Sequence, residues 1–471
     1  MDEAQRAGST SFPAVDQSRL SAVVKAYDIR GIVPDQLDET LSRATGAAFV
    51  QTLSEEGSVA GLVVGYDMRP SSPGLARAFA DGAAAAGVDV TLIGLASTDE
   101  LYCASGLLGL PGAMFTASHN PAQYNGIKLC RAYAAPVGQE SGLGRIVELL
   151  AKGLTLPGTT AGAIVERDML ADYVAHLRSL VDLSNSRPLK VVVDAGNGMA
   201  GLTAPAVFAD LPLTVVPMYF ELDGTFPNHE ANPIEPENLR DLQKAVLEQN
   251  ADIGLAFDGD ADRCFVVDER GDIVSPSVLT ALIADRELAR VPGSTVIHNL
   301  ITSRVVPEVV AEAGGTAVRT RVGHSFIKGV MAETGAVFGG EHSGHFYFRD
   351  FWRADSGMLA ALHVLAELGS SERPLSQLLS RYQRYVASGE INSTVADQAA
   401  AIATVRAAWQ NDPDVTVDEL DGLTVQAKDW WFNVRPSNTE PLLRLNVEAT
   451  DEPTMAQVRD RVLQQIRGPQ S

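Results

Sequence analysis

Cysteine is scarce in this chain. Three occur in 471 residues, at 103, 130 and 264, and no two form a CxxC pair. An odd, scattered set excludes a disulfide framework and argues against metal or redox roles. It predicts buried thiols in a reducing compartment. Positive charge is also short: 37 Lys and Arg face 59 Asp and Glu, a formal net charge of −22. Such a chain is a poor nucleic-acid binder as a whole, although a local basic pocket for a small phosphorylated ligand is compatible with it. No run of 18 apolar residues occurs, so no membrane-spanning helix is expected. The opening MDEAQRAGSTSFPAVDQSR lacks a basic start followed by an apolar stretch. No secretory leader is expected there, and residues 1–20 read as a flexible tail. A cytoplasmic location is the default.

What is present is ordinary globular material, 45% hydrophobic and 20% charged. At roughly 100–200 residues per domain, about three or four domains are expected. GLVVGYDMRPSSPGLARAFADGAAAAGVDVTLIG (61–94) reads as strand, helix, strand. Ser71 or Ser72 suits a cap, Pro73 a first helical turn, and Gly87 a helix end. The same grammar recurs at 236–257 and 303–320, which argues parallel α/β sheets. GAMF-TASHN, IGLAF-DGDADR and AVF-GGEHSGH are each an apolar strand running into a polar loop. Open parallel sheets bind ligands at the carboxyl ends of their strands. LLRLNVEA (442–449) alternates apolar and polar residues, which suits a one-sided antiparallel strand in a smaller α+β domain.

DGDADR puts carboxylates at 258, 260 and 262. Three acids this close repel one another unless a cation holds them, and hard oxygen ligands suit Mg²⁺ or Ca²⁺. Asp258, Asp260, Asp262 and Glu269 also fall at positions 1, 3, 5 and 12 of an EF-hand loop. Arg263 stands where that loop needs Gly, and a strand precedes it instead of a helix, so the EF-hand is rejected. The plainer alternative is an acidic surface turn, which fits badly between two apolar runs. Arg263 suits a phosphate oxygen.

In TASHNPAQYNGIK (116–128), Ser118 serves equally as a turn or cap residue and as a phosphoryl acceptor. His119 and Lys128 lie near it in sequence, and either can be a plain core-edge residue. GGEHSGHFYF offers Glu341, His342, Ser343 and His345. Its glycines argue against the helix that an HxxH zinc pair needs, and its carboxylate and hydroxyl suit sugar hydroxyls as well as they suit a polar turn. RPSNTEP (435–441) has groups that fit a phosphate dianion without the P-loop pattern. RVGHSFIK adds His324 and Lys328; a lone His is more often structural.

Together, TASHNP, DGDADR, GEHSGH and RPSNTEP resemble the α-D-phosphohexomutase family in order and approximate spacing, from KAYDIRG (25–31) onward. The phosphomannomutase/phosphoglucomutase branch fits best, because Thr116 and His342 differ from the SASHNP and GEQSGH of phosphoglucosamine mutases. The resemblance implies an α/β fold: three related α/β domains with mixed sheets, plus a smaller C-terminal α+β domain, around a central cleft. Expected divisions are 21–164, 165–272, 273–384 and 385–471.

The resemblance also implies site roles. Ser118 would be the phosphoserine, and Asp258, Asp260 and Asp262 would hold Mg²⁺ with a phosphoserine oxygen. Glu341 and Ser343 would bind sugar hydroxyls. Arg435, Ser437, Asn438 and Thr439 would hold the phosphate that is not reacting. Tyr27, Arg30, Lys128, Arg263, His324 and His345 would line the cleft, with Lys128 and His324 as candidate bases and His119 beside the serine. The implied reaction interconverts mannose 6-phosphate and mannose 1-phosphate, and the glucose phosphates as well, through a hexose 1,6-bisphosphate that is both intermediate and activator. The partner is a small phosphosugar, with no nucleic acid and no membrane, and the chain is a monomer or homodimer. Alternatives are phosphoglucomutase or phosphoglucosamine mutase as the main activity, a metal-dependent sugar phosphatase, and a non-catalytic phosphosugar-binding protein. One departure is LASTDELYCAS (95–105), where the family usually has Thr-Pro. It is read as a matter of packing.

Overall fold

A computed structural model describes residues 10–156, 158, 160–436 and 442–468, with His324 and Ser325 described by backbone only. The chain divides into two compact units. One holds the chain up to Ser275 together with Ser343–Ser376; the other holds Pro276–His342 and the chain from Gln377 onward.

The first unit contains two mixed sheets. In one, Leu62–Tyr66 runs parallel to Val90–Leu95 and to Gly112–Phe115. Gly112–Phe115 then pairs antiparallel with Tyr124–Arg131, which pairs antiparallel with Ile29–Ile32. The parallel strands are apolar throughout because helices cover them. Helices Ser72–Ala85 and Thr98–Leu108 supply that cover, with Phe79 edge-on to Phe115, and helix Glu39–Ser54, capped by Asp38, packs on Ser72–Ala85. In the other sheet, Leu213–Met218, Leu189–Asp194 and Ile253–Phe257 are parallel. Cys264–Asp268 and Ile273–Val274 continue it antiparallel, giving the strand, turn and strand expected after DGDADR. The strands Gly112–Phe115 and Ile253–Phe257 end in TASHNP and DGDADR, so each sheet delivers one polar loop at a strand's carboxyl end.

The tail expectation needs correction for residues 10–20. Thr10–Phe12 pairs with Leu154–Leu156, and helix Gln17–Val23 buries Leu20. The polar composition before residue 20 hid the few apolar residues that dock. All three cysteines are buried, and none is in a disulfide.

In the second unit, Thr316–Thr320, Thr295–Asn299 and Phe338–Gly340 form a parallel group. A separate antiparallel sheet has the order Val386–Thr394, Leu442–Ala449, Trp430–Pro436, Leu423–Gln426, Thr416–Asp418. Helices Gln398–Trp409 and Glu452–Arg467 pack on it through Val405, Trp409, Met455 and Val462. Leu442–Ala449 is antiparallel as expected, but its polar face is solvated only at Arg444. Glu448 is buried, accepting from Arg304 N and Trp431 Nε1. A central strand covered on both faces loses the clean alternation of a one-sided one.

Candidate active site

Ser118 sits just past Gly112–Phe115 with φ 50°, in the left-handed region that few non-glycine residues occupy. Such a conformation persists only when its surroundings over-determine it. The surroundings here are Arg69. Its guanidinium donates to four backbone carbonyls of the serine loop: Ser118 and Asn120 through Nη2 at 2.9 and 2.7 Å, Pro121 and Tyr124 through Nη1 at 2.9 Å each. Its Nε donates to Asp67 at 3.2 Å. Sequence reading missed Arg69, because it lies 49 residues before the serine in a turn that looked like helix entry.

The Ser118 hydroxyl donates to Asp258 Oδ2 at 2.7 Å and lies 3.1 Å from His119 Nδ1. Gly259 allows this approach: a Cβ there would fall 2.5 Å from the Ser118 carbonyl oxygen. Asp258, Asp260 and Asp262 are buried, and one oxygen from each lies within 4.8 Å of the others. Lys128, on Tyr124–Arg131, bridges two of them, with Nζ 2.7 Å from Asp260 Oδ2 and 2.6 Å from Asp262 Oδ2. Arg263 Nε donates to Asp258 Oδ2 at 2.9 Å.

Burial and charge oppose each other here. Burial pushes the Asp258 carboxyl up, against the pull of Arg263. Burial also opposes the charge on Asp260, but Lys128 and the Thr98 hydroxyl overcome it and hold that carboxyl below its usual range. Burial alone would lower Lys128; Asp260 and Asp262 keep its ammonium well above the ordinary range. The His119 imidazole is held neutral, first by burial, then by the charges of Arg263 and Arg30.

These groups fit a divalent cation. Asp260 Oδ1 and Asp262 Oδ1 are buried with no hydrogen-bond partner among the described residues. Orphaned carboxylate oxygens in a dry site are costly unless something positive takes them. Oxygen-only donors suit a hard ion. Arg263 Nη2 is likewise buried and unpartnered, a donor available to a phosphoryl oxygen.

Arg30 lies on Ile29–Ile32 and donates to Asn120 of the serine loop. Tyr27 is half-buried just before that strand. His345 lies by the metal loop, its Nε2 3.6 Å from Asp262 Oδ1, and its Nδ1 is 2.9 Å from Ser343 Oγ. Thr98, in LASTDELYCAS, packs directly on the acidic loop. Its hydroxyl donates to Asp260 Oδ2 at 2.6 Å and its backbone N–H to the Asp260 carbonyl at 3.0 Å. The detectable signal was a strand end followed by the Ser-Thr-Asp entry to helix Thr98–Leu108.

The second unit carries the other expected groups. Glu341 follows Phe338–Gly340 and accepts from Asn299 Nδ2 and from Gly323 N–H, each at 3.2 Å. Arg435, on Trp430–Pro436, pairs with Glu390 at 2.9 Å. Ser437, Asn438 and Thr439 lie outside the described residues, as does the side chain of His324.

Four family models match in succession, described as phosphoglucomutase/phosphomannomutase α/β/α domains I, II and III and the C-terminal domain. They cover residues 21–154, 171–271, 275–385 and 390–465. The chain belongs to the phosphoglucomutase/phosphomannomutase family. It is 42% identical over 444 residues to the phosphohexose mutases of Xanthomonas campestris, covering 94% of this chain and 98% of that one. It is 41% identical to the phosphomannomutase of Salmonella typhimurium, covering 93% and 97%. The phosphomannomutase/phosphoglucomutase of Pseudomonas aeruginosa is 36% identical, covering 96% of each chain. The crystal structure of a family protein from Burkholderia thailandensis superposes with a TM-score of 0.85 at 35% identity, over 96% of this chain and 98% of that one. The α/β expectation and the family assignment both hold.

Proposed function

We propose that this family member interconverts mannose 6-phosphate and mannose 1-phosphate, and the glucose phosphates as well, through phosphoserine 118 and a hexose 1,6-bisphosphate. The carrying observation is the Ser118 hydroxyl, fixed 2.7 Å from Asp258 Oδ2 beside the half-buried Lys128 and the buried Arg263. A bound divalent cation, Mg²⁺ in this proposal, would neutralise charge on the transferring phosphoryl group. Asp258, Asp260 and Asp262 would hold it.

In the first half-reaction the bond from the Ser118 oxygen to phosphorus breaks and one from the sugar oxygen forms. The sugar hydroxyl loses its proton, and Ser118 ends as the hydroxyl. Arg263 and the Lys128 ammonium stabilise negative charge on the phosphoryl oxygens. A base role for Lys128 requires it to release Asp260 and Asp262; His324 is the other candidate for that proton. In the second half-reaction the Ser118 oxygen attacks the other phosphate of the bisphosphate, the bond from that phosphorus to its sugar oxygen breaks and the sugar oxygen takes up a proton, while the neutral His119, 3.1 Å away, can accept the serine proton. Glu341 and Ser343 are assigned to sugar hydroxyls. Arg435, Ser437, Asn438 and Thr439 are assigned to the phosphate at rest. Tyr27, Arg30 and His345 complete the substrate set. A cytoplasmic setting and a monomer or homodimer belong to the same proposal. Among the described residues no helix is long and apolar enough to cross a membrane.

A coupled assay with mannose 1-phosphate and glucose 1-phosphate, with and without bisphosphate, tests the reading. Isomerised product, with bisphosphate activation, is expected. Inorganic phosphate released instead would make the protein a phosphatase. Excess chelator is expected to abolish transfer and Mg²⁺ to restore it. Ca²⁺ should bind yet support turnover poorly, because it prefers looser coordination than the octahedral geometry used in phosphoryl transfer. Full activity in chelator would remove the metal from the mechanism.

Mannose and glucose differ only at C2, while their 3- and 4-hydroxyls point alike. Gripping the latter two cannot separate the sugars. Both 1-phosphates are therefore expected to turn over, with kcat/KM within roughly two orders of magnitude, the scale of one weak discriminating contact. Glucosamine 1-phosphate is expected to be poorer, since its cationic amine needs an acceptor. Complete inactivity on glucose would reveal a group that reads C2.

A further inference from the structure

We propose a second cation site in the first unit, formed by Asp262, His345 and Asp355, that prefers a borderline ion such as Zn²⁺ over Mg²⁺ and stops turnover when filled. One donor atom from each of these residues lies within 4.8 Å of the others. Asp262 is 1% exposed and Asp355 3%. Asp262 Oδ1 is buried and makes no hydrogen bond among the described residues, and His345 Nε2 lies 3.6 Å from it. That separation is long for a hydrogen bond. It is close to the roughly 3.4 Å spanned by two ligands at tetrahedral angles, each about 2.1 Å from one zinc ion.

The imidazole is aimed by its other nitrogen. His345 Nδ1 lies 2.9 Å from Ser343 Oγ. When Nδ1–H donates to that hydroxyl, Nε2 keeps its lone pair and turns it toward Asp262, the usual outer support of a metal-bound histidine. The backbone holds the parts in place: His345 bridges to Arg263, and Tyr347 bridges to Asp355.

The donor sets differ between the two sites. Asp258, Asp260 and Asp262 offer oxygen only, which suits Mg²⁺. The second set has one imidazole in place of one carboxylate, which favours Zn²⁺ or Co²⁺. The sites share Asp262. An ion at the second draws that carboxylate from the first and ties up His345 and Ser343. Inhibition therefore rests on the mutase reading, while binding does not.

The test uses the full chain in excess Mg²⁺. Zn²⁺ is titrated against a chromophoric chelator, and the loaded protein is examined by zinc X-ray absorption. One zinc per chain with imidazole scattering is expected. Its affinity should fall at least about tenfold in Asp355→Asn and in His345→Gln, the order of loss seen when support of a metal site is cut. His345 is partly exposed, so its variant remains informative if Asp355→Asn does not fold. An all-oxygen zinc shell, or wild-type affinity in the folded variants, overturns the site. Imidazole-bound zinc in a protein that shows no mutase activity with Mg²⁺ alone would uphold the site and sink the proposed function. Mutase activity with no imidazole-bound zinc would do the reverse.

Discussion

Ser118→Ala is expected to lower mutase turnover by about three orders of magnitude or more, the scale seen when a covalent nucleophile is removed, while phosphosugar still binds. In the proposed mechanism the hydroxyl is the acceptor and donor of the phosphoryl group, and among the described residues no other side chain donates to Asp258 from the serine loop. Its loss should not unfold the loop. Asp258 Oδ2 keeps its bond from Arg263 at 2.9 Å, and the Ser118 carbonyl keeps its bond from Arg69. Alanine and serine pay similarly for the left-handed backbone at this position. Turnover is read in the coupled assay, phosphosugar binding by calorimetry, and phosphoenzyme by label transfer from the bisphosphate. Near-wild-type turnover would end the phosphoserine mechanism. Lost binding with intact labelling would move Ser118 from chemistry to substrate grip.

The legible part of the site was the part written consecutively. DGDADR carries the three proposed metal ligands and the arginine proposed for a phosphoryl oxygen in six residues. Asp258, Asp260 and Asp262 read as a cation cluster because their mutual repulsion needs no fold to be recognised. TASHNP announced itself by placing polar groups after a buried strand, and Gly112–Phe115 is that strand. The α/β architecture was legible for the same reason: strand and helix periods alternate in the sequence.

What escaped were partners chosen through space. Thr98 reaches Asp260 across 162 residues, and Lys128 reaches Asp262 across 134. Lys128 was visible as a lysine near a serine; its bridging of two carboxylates was not. The Leu442–Ala449 strand misled in another way. Its Glu448 is buried and satisfied by Arg304 and Trp431, so at that position alternation reported chemistry correctly and solvent exposure wrongly. The segment 10–20 shows the limit of composition: Thr10–Phe12 is ordered by pairing with Leu154–Leu156, far along the chain.

Arg69→Ala is expected to cost about 3–5 kcal/mol of stability, the range for removing one partner from a buried charged network. Its side chain is fully buried. Truncation would strand the Asp67 carboxylate and leave the carbonyls of Ser118, Asn120, Pro121 and Tyr124 without their shared donor. Water cannot readily enter to replace it, because Phe226 lies over the guanidinium at 5.1 Å. Arg69→Lys is the sharper experiment. It keeps the charge but replaces a planar fork with a single ammonium, whose three donors cannot reach four carbonyls and a carboxylate together. The Lys variant should fold, with a lowered unfolding midpoint. Once corrected for the folded fraction, its kcat should fall about 10²-fold, the scale of a roughly 1 Å misplacement of a reacting group. KM should change much less, since Arg69 touches no proposed substrate group. Denaturant unfolding and steady-state kinetics read the two effects separately. Wild-type stability and turnover in Arg69→Lys would show that the left-handed Ser118 is held by something else. Reduced stability with unchanged kcat would reduce Arg69 to a structural residue with no part in aiming the serine.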